Sequence, residues 1–217
     1  MKALIHLAAN GVINGLNDWD ECFNVNVRQS LTLWRNAADV GVRRFIICGS
    51  CFEYGRSGER YEFIPVDAPL EPTGAYAASK ASATMAALAL AVEYKLELAV
   101  ARPFHVYGEG EAESRLWPDL QRAARAGKDF SMTSGEQVRD FIRVEDVASA
   151  FVTQCTQTDM TPGNPWIRNI GSGKPETVRE FAERWWAHWE ARGKLIVGAV
   201  PYRENEVMRY VPKITVL

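Results

Sequence analysis

The sequence lacks the long apolar runs and the basic excess that mark membrane proteins and nucleic-acid-binding proteins. Its longest nearly apolar run, Ala83 to Val92, is well short of the ~18 residues that a membrane span needs. Lysine and arginine total 25 against 27 aspartates and glutamates, so no positive surplus is available to neutralise a phosphate backbone. The first ten residues lack the apolar core of a signal peptide. We therefore expect a soluble, cytoplasmic protein that binds neither membranes nor nucleic acid.

Cysteine and histidine are also scarce, with four and three residues in 217. The cysteines are too few for a disulfide scaffold, and only Cys48 and Cys51 lie close together. A redox C-x-x-C pair usually begins a helix, which lowers a thiol pKa, whereas this pair ends a β-type run; a redox site is the alternative interpretation. His6, His105 and His188 are far apart and fit no ligand spacing, so the sequence predicts no metal site.

Short apolar runs rich in β-branched residues alternate with longer helical patterns, which is typical of a parallel α/β sheet with crossover helices. The first half predicts strands at 3–7, 45–48 and 98–102, and helices over 18–40 and 75–94. The second half predicts helices near 115–126, 144–156 and 177–192, and strands around 141 and at 166–170. The fold class is therefore α/β.

A tyrosine and a lysine, Tyr76 and Lys80, lie four residues apart in a predicted helix and so share one face. A nearby cation favours the phenolate, so this pair could exchange a proton with a substrate oxygen near neutral pH. Ser50 lies at the C-terminal end of the preceding strand, where parallel sheets bind ligands, and its hydroxyl could bind the same oxygen. An ordinary surface Tyr and Lys are the alternative, but the order of strand, serine, helix and strand favours a catalytic site.

Together with further segments, these residues resemble the extended short-chain dehydrogenases/reductases of the NAD-dependent epimerase/dehydratase family, which act on nucleotide-activated sugars. The matching segments are HLAA at 6–9, NVNV at 24–27, SCFEYG at 50–55, YAASK at 76–80, ARPFHVYG at 101–108, RDFIRV at 139–144, NIGSGK at 169–174 and RENE at 203–206. The resemblance implies a partial Rossmann-type parallel sheet over 1–107. It also implies a small C-terminal α/β substrate lobe over 108–217.

The resemblance implies a role for each matching residue. The family's catalytic triad of serine, tyrosine and lysine carries over to Ser50, Tyr76 and Lys80, and the lysine also holds the nicotinamide ribose. Further contacts with NAD or NADP are implied for Ala8, Ala9, Asn26, Pro103 and Phe104. Contacts with the nucleotide-sugar substrate are implied for His105, which replaces the family's usual Asn, and for Arg139 and Arg203, which would grip the diphosphate. Pairing of these arginines with Asp140 or Glu206 is the alternative.

The resemblance also bears on the reaction and on assembly. The family's dehydratases carry Asp-Glu directly after the catalytic Ser or Thr, whereas this sequence has Cys51 and Phe52. We therefore expect 4-keto reduction or 4-epimerisation rather than dehydration. The resemblance further implies a homodimer through the helices predicted over 18–40 and 75–94.

The family's glycine-rich phosphate turn has no counterpart in the sequence. Family members begin about two βαβ units earlier, or about 60 residues at about 30 per unit. The internal segments at 108–113 and 171–176 have a glutamate in place of the third glycine. We therefore expect an internal fragment or a truncated gene product, without dehydrogenase or epimerase activity by itself. The alternative function is a non-catalytic partner that binds nucleotide sugars or supports assembly.

Overall fold

The computed structural model describes residues 3–11 and 18–214. The helices are α1 (Trp19–Phe23), α2 (Ser30–Asp39), α3 (Ala75–Glu93), α4 (Leu116–Arg125), α5 (Val144–Thr156) and α6 (Val178–His188). The strands are β1 (Ala3–His6), β2 (Arg44–Cys48), β3 (Glu97–Pro103), β4 (His105–Tyr107), β5 (Phe130–Met132), β6 (Val138–Arg143), β7 (Trp166–Ile170), β8 (Pro175–Thr177), β9 (Leu195–Val197) and β10 (Arg209–Tyr210). A π-helical segment, Asn24–Gln29, joins α1 to α2.

The larger sheet has the strand order β1-β2-β3-β7, and all its pairings are parallel. Alternate residues of β2 face opposite sides of this sheet, as the pleat requires. Phe45 and Ile47 pack with Trp34 of α2 and with α3, whereas Ile46 packs with Phe151 of α5. Helices therefore cover both faces, which explains the continuous apolar runs in β2 and β3 and confirms the predicted α/β class.

The second half of the chain contributes to both parts of the fold. Strands β10, β6 and β4 form a second sheet, with β8 paired to β6, and β5 pairs with β9. Aromatic and aliphatic residues of α4 and α6 pack between these strands. However, α5 and β7 return to the larger sheet, because its second face needs an apolar cover. The domain boundary expected between residues 107 and 108 stays a prediction. Helix α5 and strand β7, from the region 144–170, pack with the first half of the chain.

The long helix α3 packs closely because most of its buried residues are small. Among the helices of residues 3–11 and 18–214, α3 alone is long and apolar enough, by length and composition, to cross a membrane. More than half of that stretch is buried, and the core helix of a soluble protein passes the same test. Its alanines allow the helix to lie close to α1, to the π-helical segment and to the larger sheet, which brings its first turns to the ends of the strands.

Candidate active site

Ser50 lies in the turn that follows β2 and precedes a short 3-10 helix, Cys51–Tyr54. Its Oγ accepts the backbone N–H of Phe52 at 3.2 Å, and its own N–H donates to Glu53 Oε1 at 2.8 Å. This reciprocal arrangement is a capping box, which satisfies backbone groups that a helix start leaves unpaired. Ser50 is therefore held in one backbone conformation at the C-terminal end of the sheet.

Tyr76 and Lys80 lie in the first two turns of α3, one turn apart. The Tyr76 hydroxyl lies close enough to the side chain of Ser50 for that hydroxyl to lower the pKa of Tyr76. Lys80 is buried, and its Nζ donates to the carbonyl oxygen of Cys48 at 2.6 Å. The structure thus brings the three predicted catalytic residues together, although Ser50 and Tyr76 belong to different elements of the chain.

The pKa of Tyr76 differs from the sequence-based expectation. Burial is the largest cause, and it raises the pKa of Tyr76 above its ordinary value, while the nearby Ser50 hydroxyl opposes the rise. The Lys80 ammonium points to the Cys48 carbonyl, and the net direction of the shift is upward rather than toward neutral pH. The phenol is therefore held protonated, a state suited to donating a proton.

The loop after β1 lies beside these residues. Ala8 is exposed and Ala9 is half-buried, so the backbone of this loop is accessible at the same edge of the sheet. Asn26 fixes the loop: its Oδ1 accepts the N–H of Asn10 at 2.7 Å, and its Nδ2 donates to the Asn10 carbonyl and to Ser79 Oγ, each at 2.9 Å. The sequence suggested that Asn26 contacts the cofactor. Both polar atoms of its amide join the loop to α3, and its contact with the cofactor stays a prediction.

Sequence reasoning missed Gly11, which allows this loop to lie against Tyr76. Gly11 has a φ of +88°, and a Cβ there would lie 2.7 Å from Cys22 Sγ and 3.3 Å from the Cβ of Tyr76. Any other residue would therefore clash as well as strain the backbone. A glycine four residues after the predicted strand is the sequence signal that could have identified it.

Phe104 lies in a different environment from that expected of a cofactor contact. Its side chain is only 3% exposed and packs against the rings of Tyr54 and Tyr210, at 6.5 and 6.0 Å. The Tyr210 hydroxyl in turn donates to the carbonyl oxygens of Cys51 at 3.0 Å and Gly55 at 3.3 Å. Phe104 therefore belongs to a core cluster beside the turn that begins at Ser50, and its contact with the cofactor stays a prediction. The preceding residue, at position 103, is half-buried.

His105 and two arginines define a second part of the site. Burial, together with the positive charges of Arg139 and Arg115, lowers the pKa of His105 to about 3. Its Nδ1 has no hydrogen-bond partner among the residues that the structure describes. A neutral, unpartnered imidazole near two guanidinium groups offers polar contacts to a ligand. Arg115 was not singled out from the sequence, because it matches no motif and only the fold brings it near His105.

The two arginines predicted to bind diphosphate lie in different environments. Arg139 is 8% exposed and donates to the Val207 carbonyl at 2.6 Å and to Glu206 Oε1 at 3.3 Å. This is the pairing with Glu206 that the sequence offered as the alternative. Arg203 is exposed in the same C-terminal segment. Arg139 thus anchors the segment that carries Arg203.

The cysteine pair after β2 does not have the properties of a redox site. Both Cys48 and Cys51 are free thiols. Burial raises the pKa of Cys51 to about 12 and also raises the pKa of Cys48. Reactivity requires the thiolate, so this environment opposes the redox interpretation.

The chain is similar in sequence to known proteins. Residues 1–171 match the sequence model of the NAD dependent epimerase/dehydratase family. The chain is 27% identical over 200 residues to UDP-glucose 4-epimerase from Corynebacterium glutamicum, and the match covers 84% of this chain and 59% of the relative. It is 29% identical over 187 residues to UDP-glucuronate 4-epimerase from Thermodesulfobacterium geofontis, covering 84% and 55%. The chain therefore spans a little over half the length of these curated relatives.

Solved structures show the same fold. MoeE5 in complex with UDP-glucuronic acid and NAD superposes with a TM-score of 0.83 at 25% identity, over 98% of this chain and 70% of that protein. UDP-N-acetylglucosamine 4-epimerase from Methanobrevibacter ruminantium, in complex with UDP-N-acetylmuramic acid, has a TM-score of 0.87 at 22% identity, over 98% and 68%. The fold therefore agrees with the match of the family model to residues 1–171, which shows that the chain belongs to the NAD-dependent epimerase/dehydratase family.

Proposed function

We propose that this chain carries the catalytic and substrate-side residues of an enzyme that moves hydride between NAD or NADP and a sugar carbon of a nucleotide-activated sugar. The observation that carries the proposal is the convergence of Ser50, Tyr76 and Lys80 at the end of β2. The nucleotide-sugar substrates named for the relatives support the substrate class. The presence of NAD beside UDP-glucuronic acid in the MoeE5 complex supports the cofactor.

The loop after β1 fits the nicotinamide end of such a cofactor. Gly11 leaves no side chain between this loop and Tyr76, and Ala8 in the same loop is exposed. The loop at Ala8 and Ala9, together with Lys80, would hold the nicotinamide end. A nicotinamide dinucleotide supplies the hydride donor or acceptor when bound, while the protein supplies position and electrostatics.

The protein's own residues would handle the proton. Tyr76, held as a phenol, donates its proton to the carbonyl oxygen of a keto sugar, and Ser50 hydrogen-bonds the same oxygen as negative charge develops on it. In the reverse direction, the Tyr76 phenolate left by that donation would take the proton back from the sugar hydroxyl. Lys80 supplies a fixed positive charge one helical turn from Tyr76.

Keto reduction or epimerisation at C4 fits this turn better than dehydration does. Eliminating water requires an acid and a base beside the sugar, and the two residues after Ser50 provide neither. Cys51 stays a thiol because burial raises its pKa to about 12, and Phe52 presents a 44% exposed ring whose centroid is 6.5 Å from that of Tyr76. The carboxylate of Glu53 in the same turn already accepts hydrogen bonds from Ser50 and Arg102.

The test is turnover by a preparation that contains this chain. Loss of NADH or NADPH absorbance with a nucleotide-linked 4-keto-6-deoxyhexose measures reduction, and interconversion of UDP-glucose and UDP-galactose measures epimerisation. Tyr76→Phe should lower turnover by about 10²- to 10⁴-fold, the usual contribution of a positioned acid or base. Tyr94→Phe, at the other end of the same helix, is the matched control and should leave turnover unchanged.

Two results would count against the proposal. Near-normal turnover by Tyr76→Phe would remove Tyr76 from the chemistry. Binding of nucleotide sugars without turnover in any preparation would favour a non-catalytic binding partner. Titration of NADH and NADPH against the purified chain by fluorescence separates a further case, because saturable micromolar binding would overturn the expectation that the chain has no activity by itself.

A further inference from the structure

The turn that begins at Ser50 contains a wholly buried carboxylate, Glu53, which takes no part in the proton transfer described above. Its side chain is 0% exposed, and that of its partner Arg102 is 1% exposed. Removing a carboxylate from water costs several kcal/mol unless hydrogen bonds and charge compensate for the loss of hydration. The contacts that compensate Glu53 therefore show what this group holds in place.

Glu53 contacts three different elements of the fold. Its Oε1 accepts the Ser50 N–H at 2.8 Å, and its Oε2 accepts Arg102 Nε from β3 at 2.8 Å. The side chain of Thr84 on α3 also lies close enough to the carboxylate for its hydroxyl to lower the pKa of Glu53. Thr84 lies one turn after Lys80 and two turns after Tyr76, on the same face of the helix. One carboxylate thus joins the turn that carries Ser50 to the helix that carries Tyr76 and to the central strand.

The backbone around Glu53 leaves room for this contact and no more. A Cβ on Gly49 would lie 2.7 Å from Glu53 Oε1 and 3.1 Å from Arg102 Cγ. The carboxylate therefore occupies the space that any larger residue at position 49 would need. The position of the Glu53 carboxylate thus depends on the absence of a side chain at Gly49, the residue before Ser50.

Arg102 is itself fixed on its far side. Its guanidinium lies 4.6 Å from the centre of the Tyr54 ring, and the Tyr54 hydroxyl donates to Asn169 Oδ1 of β7 at 2.6 Å. Arg102 also reaches the Val66 carbonyl at 3.3 Å. These contacts hold the guanidinium on the side away from Glu53, so the pair ties the turn to β3 and to the segment around Val66.

We propose that Glu53, held by Arg102, is a positioning residue that fixes Ser50 relative to Tyr76 and Lys80. The importance of this alignment for catalysis rests on the proposed function, whereas the alignment itself rests only on the contacts above. Glu53 does not touch substrate, since it is buried beneath the turn. Its effect on the reaction would pass entirely through Ser50 and through α3.

The chain offers a matched control for the test. Glu97 and Arg44 form a second carboxylate–guanidinium pair at 2.7 Å, with side chains 20% and 4% exposed, at the opposite ends of the same two strands. Glu53→Gln and Glu97→Gln each keep the shape of the side chain and remove the charge. Both should lower the melting temperature, which measures their structural contribution, and only Glu53→Gln should change the site.

The decisive readout is NMR of the full chain at neutral pH, with ¹⁵N-labelled backbone and tyrosine labelled with ¹³C at Cζ. Glu53→Gln should shift the Ser50 amide resonance, because the acceptor of that N–H loses its charge. It should also shift the Tyr76 Cζ resonance, because the Ser50 side chain near the Tyr76 hydroxyl is realigned. Tyr76→Phe assigns the tyrosine signal. Unchanged resonances in a folded Glu53→Gln protein, or equal shifts with Glu97→Gln, would overturn the proposal.

A second variant decides the matter if Glu53→Gln does not fold. Thr84→Val removes the hydroxyl beside the Glu53 carboxylate and preserves side-chain volume, so it should shift the same two resonances, and their constancy would overturn the proposal. In a preparation that turns over, Glu53→Gln should lower kcat and leave the Kd for nucleotide sugar unchanged. Shifted resonances without turnover in any preparation would support the positioning role and count against the proposed function alone.

Discussion

Replacement of Asn26 by alanine tests whether the loop after β1 is held by the contacts described above. The change removes three hydrogen bonds, two to the backbone of Asn10 and one to Ser79 Oγ. At about 0.5–1.5 kcal/mol each, they contribute about 1.5–4.5 kcal/mol. Asn10 is half-buried, so water can replace part of the hydrogen bonding that its backbone loses. Ser79 is 0% exposed, so water cannot replace the bond to its hydroxyl. We therefore expect a loss of about 2 kcal/mol in the free energy of unfolding.

Asn24→Ala is the control for this measurement. Asn24 lies two residues earlier in the same π-helical segment, and its Oδ1 accepts only an exposed hydrogen bond from Arg28 Nε at 3.0 Å. Its replacement should change the unfolding free energy by less than about 0.5 kcal/mol. Urea denaturation followed by circular dichroism measures both variants. A loss below about 0.5 kcal/mol for Asn26→Ala, or an equal loss for the control, would refute the reasoning.

Three further predictions concern pH, substrate binding and assembly. His105 has a pKa of about 3 in the folded protein, below its ordinary 6.5. As the pH falls below 6.5, the imidazole takes up a proton in the unfolded chain but not in the folded protein. The free energy of unfolding should therefore fall by about 2 kcal/mol by pH 5. His105→Asn should remove that part of the slope in urea titrations at each pH, and an unchanged slope would contradict the assignment. Arg139→Ala should weaken nucleotide-sugar binding by calorimetry and lower stability, whereas Arg203→Ala should weaken binding alone; unchanged affinity for UDP-, dTDP-, CDP- and GDP-sugars would refute both roles. Met85 and Val92, each 58% exposed on α3, should lie in a dimer interface. In sedimentation, Met85→Glu should therefore convert a dimer to a monomer, and a monomeric wild type would exclude the dimer.

Apolar periodicity predicted the long elements well. The helix expected over 75–94 is Ala75–Glu93, and the strand expected at 166–170 is Trp166–Ile170. Both segments bury apolar side chains at regular spacing, and such spacing is visible in a single sequence. The helix expected over 18–40 is divided by the π-helical segment, in which Asn26 hydrogen-bonds Asn10 and Ser79. No local sequence pattern reveals these hydrogen bonds.

The polar groups beneath the catalytic turn could not be predicted. Arg102 is 49 residues from Glu53 in sequence, and Thr84 lies on another element, so no spacing connects them. The YxxxK motif correctly indicated which residues meet at the strand ends. It could not indicate the pKa of Tyr76, because burial depends on the whole fold around the ring.

The hydroxyl of Tyr210 has a consequence for protein engineering. Because it donates to the carbonyl oxygens of Cys51 and Gly55, strand β10 is fastened to both ends of the turn that begins at Ser50. Gly58 adds to this dependence, since a Cβ there would lie 2.5 Å from the Tyr210 ring. A chimera that takes residues 203–210 from a relative would therefore also disturb the turn that carries Ser50. Such a graft should keep Tyr210 or import the turn at 51–58 along with the strand.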